Sequence, residues 1–190
     1  QLSTHERDPS KRSLKHELEQ GRNFLKELRR RFKRQNIYYI PGNHEYRLQR
    51  YLRTKAPELL DNEEFRLDVL LRVREYGVEY IPYRSKCYFG KLMVEHGDKL
   101  LGSGGVNPAR TLALKLKRHA ICGHFHRTTE SIQRVYDGGT IATFSVGCLC
   151  TLEPDYMPVN EHNHGYAIIN MLDGGNFIVK NKKIENGMHF

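Results

Sequence analysis

Long apolar runs are missing from this chain: no stretch approaches the roughly 20 consecutive apolar residues a membrane-spanning helix needs, which excludes a helical membrane protein. The first twelve residues are polar and charged, unlike the apolar segment of a secretory signal, and the expectation is a cytoplasmic protein with no membrane partner. Cysteine is scarce, with 4 in 190 residues, and implies no disulfide framework. Cys148 and Cys150 are too close along a strand to bridge, and Cys87 and Cys122 sit in apolar runs that read as buried. A single Cys-x-Cys pair with no second pair is a weak metal signal, so these thiols are expected to have no role. Tracts of proline, serine or glutamine are also lacking, and 38% hydrophobic with 10% aromatic residues suits a folded chain.

Acidic residues are in deficit. The 22 Asp and Glu against 31 Lys and Arg leave a formal charge of +9, which favours an anionic partner such as nucleic acid or a phosphorylated substrate. Residues 1–36 carry 11 Lys or Arg and 5 Asp or Glu, so most of the surplus lies on one N-terminal segment and reads as a solvated helix face. There is no internal repeat and no linker, and 190 residues suit a single domain over 1–190.

Leu14, Leu18, Leu25, Leu28 and Phe32 recur at helical spacing behind Ser10 or Ser13 as N-cap, predicting a long amphipathic helix. Residues 36–40 read as a strand stopped by Pro41-Gly42, with a second helix starting near Glu45. Asp61 or Asn62 is expected to cap a third helix that ends before Gly77. Residues 78–81 and 88–95 read as extended. Residues 102–106 read as a loop, in which Ser103-Gly104-Gly105 offers a minor phosphate-contact option. Asn107-Pro108 opens a helix carrying Leu112 and Leu116, followed by a strand at 120–122. The last third consists of short strands separated by glycines. This order predicts an α/β (α+β) fold, with mixed sheets packed together and helices outside.

Chemistry concentrates at three strand ends: Gly42-Asn43-His44-Glu45, His96-Gly97, and Gly123-His124-Phe125-His126. Loops there can present an Asn oxygen and three imidazoles above a sheet. His162-Asn163-His164-Gly165 reads as a polar turn into the following strand, and His5, His16, His119 and His189 read as surface residues.

The order of these motifs resembles the calcineurin-like metallophosphoesterase superfamily, in the branch found widely in phages and bacteria. Arg47 after the first motif, Asp8-Pro9 ahead of the long helix and Arg127 after the third add to the resemblance. It implies two mixed β-sheets packed as a sandwich with flanking helices, and a hydrolase acting on phosphate esters at two divalent metal ions. Manganese is the first expectation for those ions, with zinc, iron, nickel or magnesium as alternatives. It further implies that Asn43, His96 and His124 ligate the second metal and His126 the first. His44 stabilises the transition state and protonates the leaving oxygen, and Arg47 reaches the substrate phosphate. Two cations about 3.5–4 Å apart activate a bridging water and clamp the phosphate for in-line attack.

This sequence departs from the superfamily where the carboxylates belong. The upstream D-x-H and G-D-x-x-D motifs do not occur, and Asp8, Asp61, Asp68 and Asp98 stand in no matching context. Asn and His bring no negative charge to offset two dications. The expectation is therefore an incomplete first-metal site, absent first strands, and a chain weakly active or inactive alone. A complementing N-terminal segment or a second copy would restore the ligands. The alternative is a non-catalytic remnant that binds one metal or an anionic partner. Substrates within reach of the class are phosphodiesters or phosphomonoesters, nucleic acid and nucleotides among them.

Overall fold

A computed structural model describes residues 13–100, 106–136, 138–154 and 157–190. The Ser10 cap, Asp8-Pro9, His5 and the Ser103-Gly104-Gly105 segment lie outside the described residues. Those described form a mixed α+β structure with four α-helices and three sheets. The chain divides into two compact units, the first running to Tyr83 and the second from Arg84.

The first unit holds helices α1 (Leu14–Arg31), α2 (Tyr46–Lys55) and α3 (Leu67–Leu70) and strands β1 (Ile37–Tyr39) and β2 (Val78–Tyr80). Ser13 caps α1 by accepting the His16 amide, as its sequence position implies. The two strands pair in parallel, Ile37 opposite Val78. Leu25 from α1 packs with Leu71, Val73 and Val78, and Leu18, Ile37, Tyr39 and Tyr80 close the cluster. Gly21 lets α1 approach closely, since a Cβ there would lie 2.9 Å from Leu71 Cδ2.

Two arginines of the basic α1 do more than coat a solvated face. Arg29 Nε donates to the Tyr76 carbonyl at 2.7 Å and Nη2 to that of Gly77 at 2.6 Å, while Arg22 Nε donates to the Leu70 carbonyl at 2.7 Å. These carbonyls belong to a stretch with little regular backbone pairing, so the guanidinium groups satisfy acceptors that would otherwise need water.

The third helix expected over residues 61–77 does not form as one piece. Asn62 caps only a single 3-10 turn, Glu63–Phe65, by accepting the Glu64 amide. Arg66 is then extended (φ −71°, ψ 138°), and α3 lasts four residues before Arg72 turns left-handed at φ 54°. The break is fixed by Asp68, a buried carboxylate gripped at both oxygens by Arg66 (3.1 and 2.8 Å). A pairing two residues apart does not lie along one face of an α-helix.

In the second unit, β3 (Cys87–Phe89) and β4 (Leu92–Glu95) form a hairpin where one extended run over 88–95 is expected from the sequence. Gly90 makes the turn at φ +57°, and no side chain fits there because a Cβ would stand 2.5 Å from the Gly175 carbonyl oxygen. Strands β5 (Ala120–Cys122), β6 (Thr129–Arg134) and β7 (Thr140–Ser145) complete a five-stranded sheet in the order β3-β4-β5-β7-β6. Its centre, β4-β5-β7, is parallel. Strands β8 (His164–Met171), β9 (Phe177–Glu185) and β10 (Met188–His189) form an antiparallel sheet, order β10-β9-β8.

Alternation along the strands sends side chains to two cores. Leu92, Ile121 and Phe144 face Ala167, Ile169, Phe177 and Val179 of the three-stranded sheet. Met93, Ala120 and Cys122 face Leu112, Leu116 and Phe125 on the opposite side. Leu112 and Leu116 belong to helix α4 (Pro108–Leu116), opened by Asn107 accepting the Arg110 amide with Pro108 in its first turn. Thr143 Oγ1 donates to the Ala109 carbonyl at 2.7 Å, fastening helix to sheet. His119, expected at the surface, is half-buried: its Nδ1 accepts the Ala142 amide at 3.0 Å and its ring meets Phe177 edge-on.

Candidate metal centre

Because β4, β5 and β7 are parallel neighbours, their carboxyl ends open at the same edge of the sheet, where ligand sites of α/β sheets concentrate. His96 follows β4, His124 and His126 follow β5, and Cys148 and Cys150 follow β7. The register pairs Glu95 with Cys122, so the turns after β4 and β5 start level.

His96 Nε2 and His124 Nδ1 stand 3.1 Å apart, their rings edge-on at 71°. Two imidazole nitrogens each about 2.0–2.1 Å from a tetrahedral zinc-sized cation would be about 3.3 Å apart, so this hydrogen-bonded pair stands close to the spacing of shared ligands. Backbone conformation sets it. The Phe125 amide donates to the Gly123 carbonyl at 2.7 Å, a three-residue turn that centres on His124 at φ 63°. His126 is left-handed too, at φ 56°. Such non-glycine conformations cost about 1–3 kcal/mol each and cluster where a side chain must be aimed. Gly97 (φ +109°) permits the close approach, since a Cβ there would sit 3.1 Å from Cys122 Cβ and 3.4 Å from His124 Cβ.

His126 meets a different set. Its Nδ1 is 3.7 Å from Cys150 Sγ, and the ligand atoms of His126, Cys148 and Cys150 all lie within 4.8 Å of one another. Among the described residues, this is the group of three or more potential ligands able to hold a metal ion. All four cysteines are free thiols; Cys148 is buried and Cys150 exposed. Burial, reinforced by Cys150, pushes the Cys148 thiol up to about 11, so in the absence of an ion it is protonated at neutral pH. The sequence assigned these thiols no role. The available signal was positional: a Cys-x-Cys directly after the third parallel strand.

Asn163 ties the ligands together. Its backbone amide donates to the His126 carbonyl (2.9 Å), and its carbonyl accepts the Cys148 amide (2.9 Å). Its buried side chain accepts the Thr128 amide and donates to Thr128 Oγ1 and the His164 carbonyl. His164 Nε2 lies 2.9 Å from the Cys150 carbonyl oxygen, and the Gly165 amide donates to Cys148. The segment expected as a polar turn into a strand is one, and it also organises the thiol loop. Beside it, His162 packs edge-on against His126 with Nδ1 buried and unpartnered among the described residues. Burial, then Arg127, holds its pKa below the ordinary imidazole range.

Glu95 is a buried carboxylate whose Oε1 has no partner among the described residues. Burial raises its pKa, Asp98 adds to this, and Lys99 opposes it. Cys122, opposite it in the sheet, is pushed up to about 12 by burial and then by Glu95, which makes it inert as a nucleophile.

In the first unit, residues 42–45 form the turn between β1 and α2. The Gly42 amide donates to Glu45 Oε2 at 2.9 Å, and the Tyr46 amide to the Gly42 carbonyl at 3.1 Å, fixing the loop. Asn43 is half-buried and His44 exposed. His44 and Arg47 line a cavity of about 410 Å³ in this unit, together with Leu18, Leu25, Leu48 and Leu71.

No protein-family model matches the chain, and no curated protein compared with it is similar. The donor set has its own chemistry. Imidazole and thiolate suit zinc, whereas manganese prefers oxygen ligands, so the His126 group does not support the expectation of manganese.

Proposed function

We propose that this chain carries the metal-binding histidines of a phosphate-ester hydrolase with a metallophosphoesterase-like sandwich. The observation that supports the reading most is the His96–His124 pair, 3.1 Å apart at the ends of adjacent parallel strands. In the resembled superfamily these positions ligate the second metal. The donor atoms fit one cation; the carboxylates that offset two are not in this sequence. A bound divalent ion would polarise the phosphate and lower the pKa of a coordinated water. His96 and His124 would orient that ion; the resemblance also implies Asn43, in the first unit, as a ligand. The resemblance implies His44 as proton donor to the leaving oxygen and Arg47 as a contact to a phosphate oxygen, both in the first unit. The +9 charge favours anionic substrates, nucleic acid and nucleotides included.

A second reading, a remnant that binds metal without hydrolysis, is favoured by the carboxylate-free ligand group around His126. An aryl phosphodiester and an aryl phosphomonoester, assayed with added manganese or zinc, separate the two. The chain is tested alone and then with a segment carrying D-x-H and G-D-x-x-D supplied upstream or in trans. Hydrolysis that appears only with the segment supports the enzyme reading. Hydrolysis in neither case leaves the remnant.

A further inference from the structure

The thiols after β7 bear on the missing charge. We propose that His126, Cys148 and Cys150 form a zinc site, with two thiolates and one imidazole as ligands and the fourth position open to solvent. Zinc–sulfur bonds of about 2.3 Å and zinc–nitrogen bonds of about 2.0–2.1 Å at tetrahedral angles place S and N about 3.6 Å apart. Cys150 Sγ and His126 Nδ1 stand 3.7 Å apart, so this pair needs almost no movement to share an ion. Cys148 Sγ lies within 4.8 Å of both, at most about 1 Å beyond tetrahedral ligand spacing.

Charge separates this site from one built on histidines alone. Two thiolates cancel the 2+ of one zinc ion, so the site is neutral when filled and needs no carboxylate. Cysteine ligates zinc as the thiolate, so filling of the site weakens as pH falls. The ligand backbones are held in place beforehand through Asn163, which bonds the backbones of both His126 and Cys148. Cys150 is exposed, which gives an ion a route in and leaves a face for water or an added anion. Three protein ligands with one open position is the arrangement of catalytic rather than structural zinc.

The inference stands on the geometry of the three residues and not on the phosphoesterase reading, and its readout is spectroscopic rather than hydrolytic. The reduced full chain is stripped of metal and titrated with Co2+, which reports thiolate ligation by charge-transfer absorption in the near ultraviolet. The expected result is a thiolate band that saturates at one equivalent and is displaced by Zn2+. Cys150→Ser, at an exposed position whose folding circular dichroism can verify, should weaken the band, and the Cys148→Ser/Cys150→Ser double variant should abolish it. Cys87→Ser should leave it unchanged. Cobalt bound with no thiolate band, no cobalt bound at all, or a band that survives in folded Cys150→Ser at full strength overturns the proposal.

Discussion

At the scale of single residues, conformation and burial decide what each group can do. His124 and His126 hold left-handed backbones that a β-sheet terminus does not require, and the outcome is two imidazoles aimed at different partners. Gly147 is as constrained as either. A Cβ there would lie 2.5 Å from the Asn163 carbonyl oxygen and 2.6 Å from the Gly165 nitrogen, both backbone atoms that cannot step aside. Gly147→Ala should therefore cost about 1–3 kcal/mol in urea unfolding, and an unchanged midpoint would show that the loop yields freely. Tyr80 offers a test in the first unit. Burial first, then Asp68 and Glu45, pushes its phenol up to about 12. An unfolded tyrosine ionises near pH 10, so folding favours the neutral phenol. That contribution is complete below about pH 10 and is lost as pH climbs toward 12. Tyr80→Phe should lessen the alkaline loss of stability in that window, measured by chemical denaturation; parallel profiles for variant and wild type would contradict the assignment.

At the scale of elements, the features legible in the sequence are those written locally. Ser13 before α1, Asn107-Pro108 before α4, and the apolar 120–122 run before a glycine each carry their own start or stop signal. The broken stretch over 61–77 was not legible, because what interrupts the helix is the Arg66–Asp68 grip on a buried carboxylate, a tertiary outcome. The hairpin at Gly90 was missed for a similar reason. Apolar and aromatic residues flank the glycine on both sides, and its left-handed turn fits against the Gly175 loop, 85 residues away. Among the candidate ligands, the histidine motifs were legible by order and setting. Cys148 and Cys150 were not, since what gives them meaning is His126, which β7's place beside β5 brings near. Asn163 is the positioning residue of that arrangement. Asn163→Ala keeps the backbone bonds to His126 and Cys148 but removes the side-chain bonds to Thr128 and the His164 carbonyl that hold this segment, and should lower zinc affinity about 10-fold. Calorimetric titration reads the change, and wild-type affinity in a folded variant would remove Asn163 from the account.

At the scale of the whole molecule, the +9 charge stands, but some of its donors are already engaged. Arg22 and Arg29 of the basic helix keep their charge but commit N–H donors to backbone carbonyls, which leaves fewer donors for direct contact with an anionic partner. No helix among the described residues is long and apolar enough to cross a membrane. The second unit brings His96, His124, His126, Cys148 and Cys150 to the carboxyl ends of the parallel strands β4, β5 and β7, and that placement is what the functional reading rests on. The most direct measurement is zinc binding by the Cys148→Ser/Cys150→Ser chain, in which thiol ligation is removed, with and without His124→Ala. The expectation is that the double serine variant still binds one ion through the His96–His124 pair and loses it when His124 is replaced. Binding that persists without His124, or no binding by the double serine variant, would contradict it.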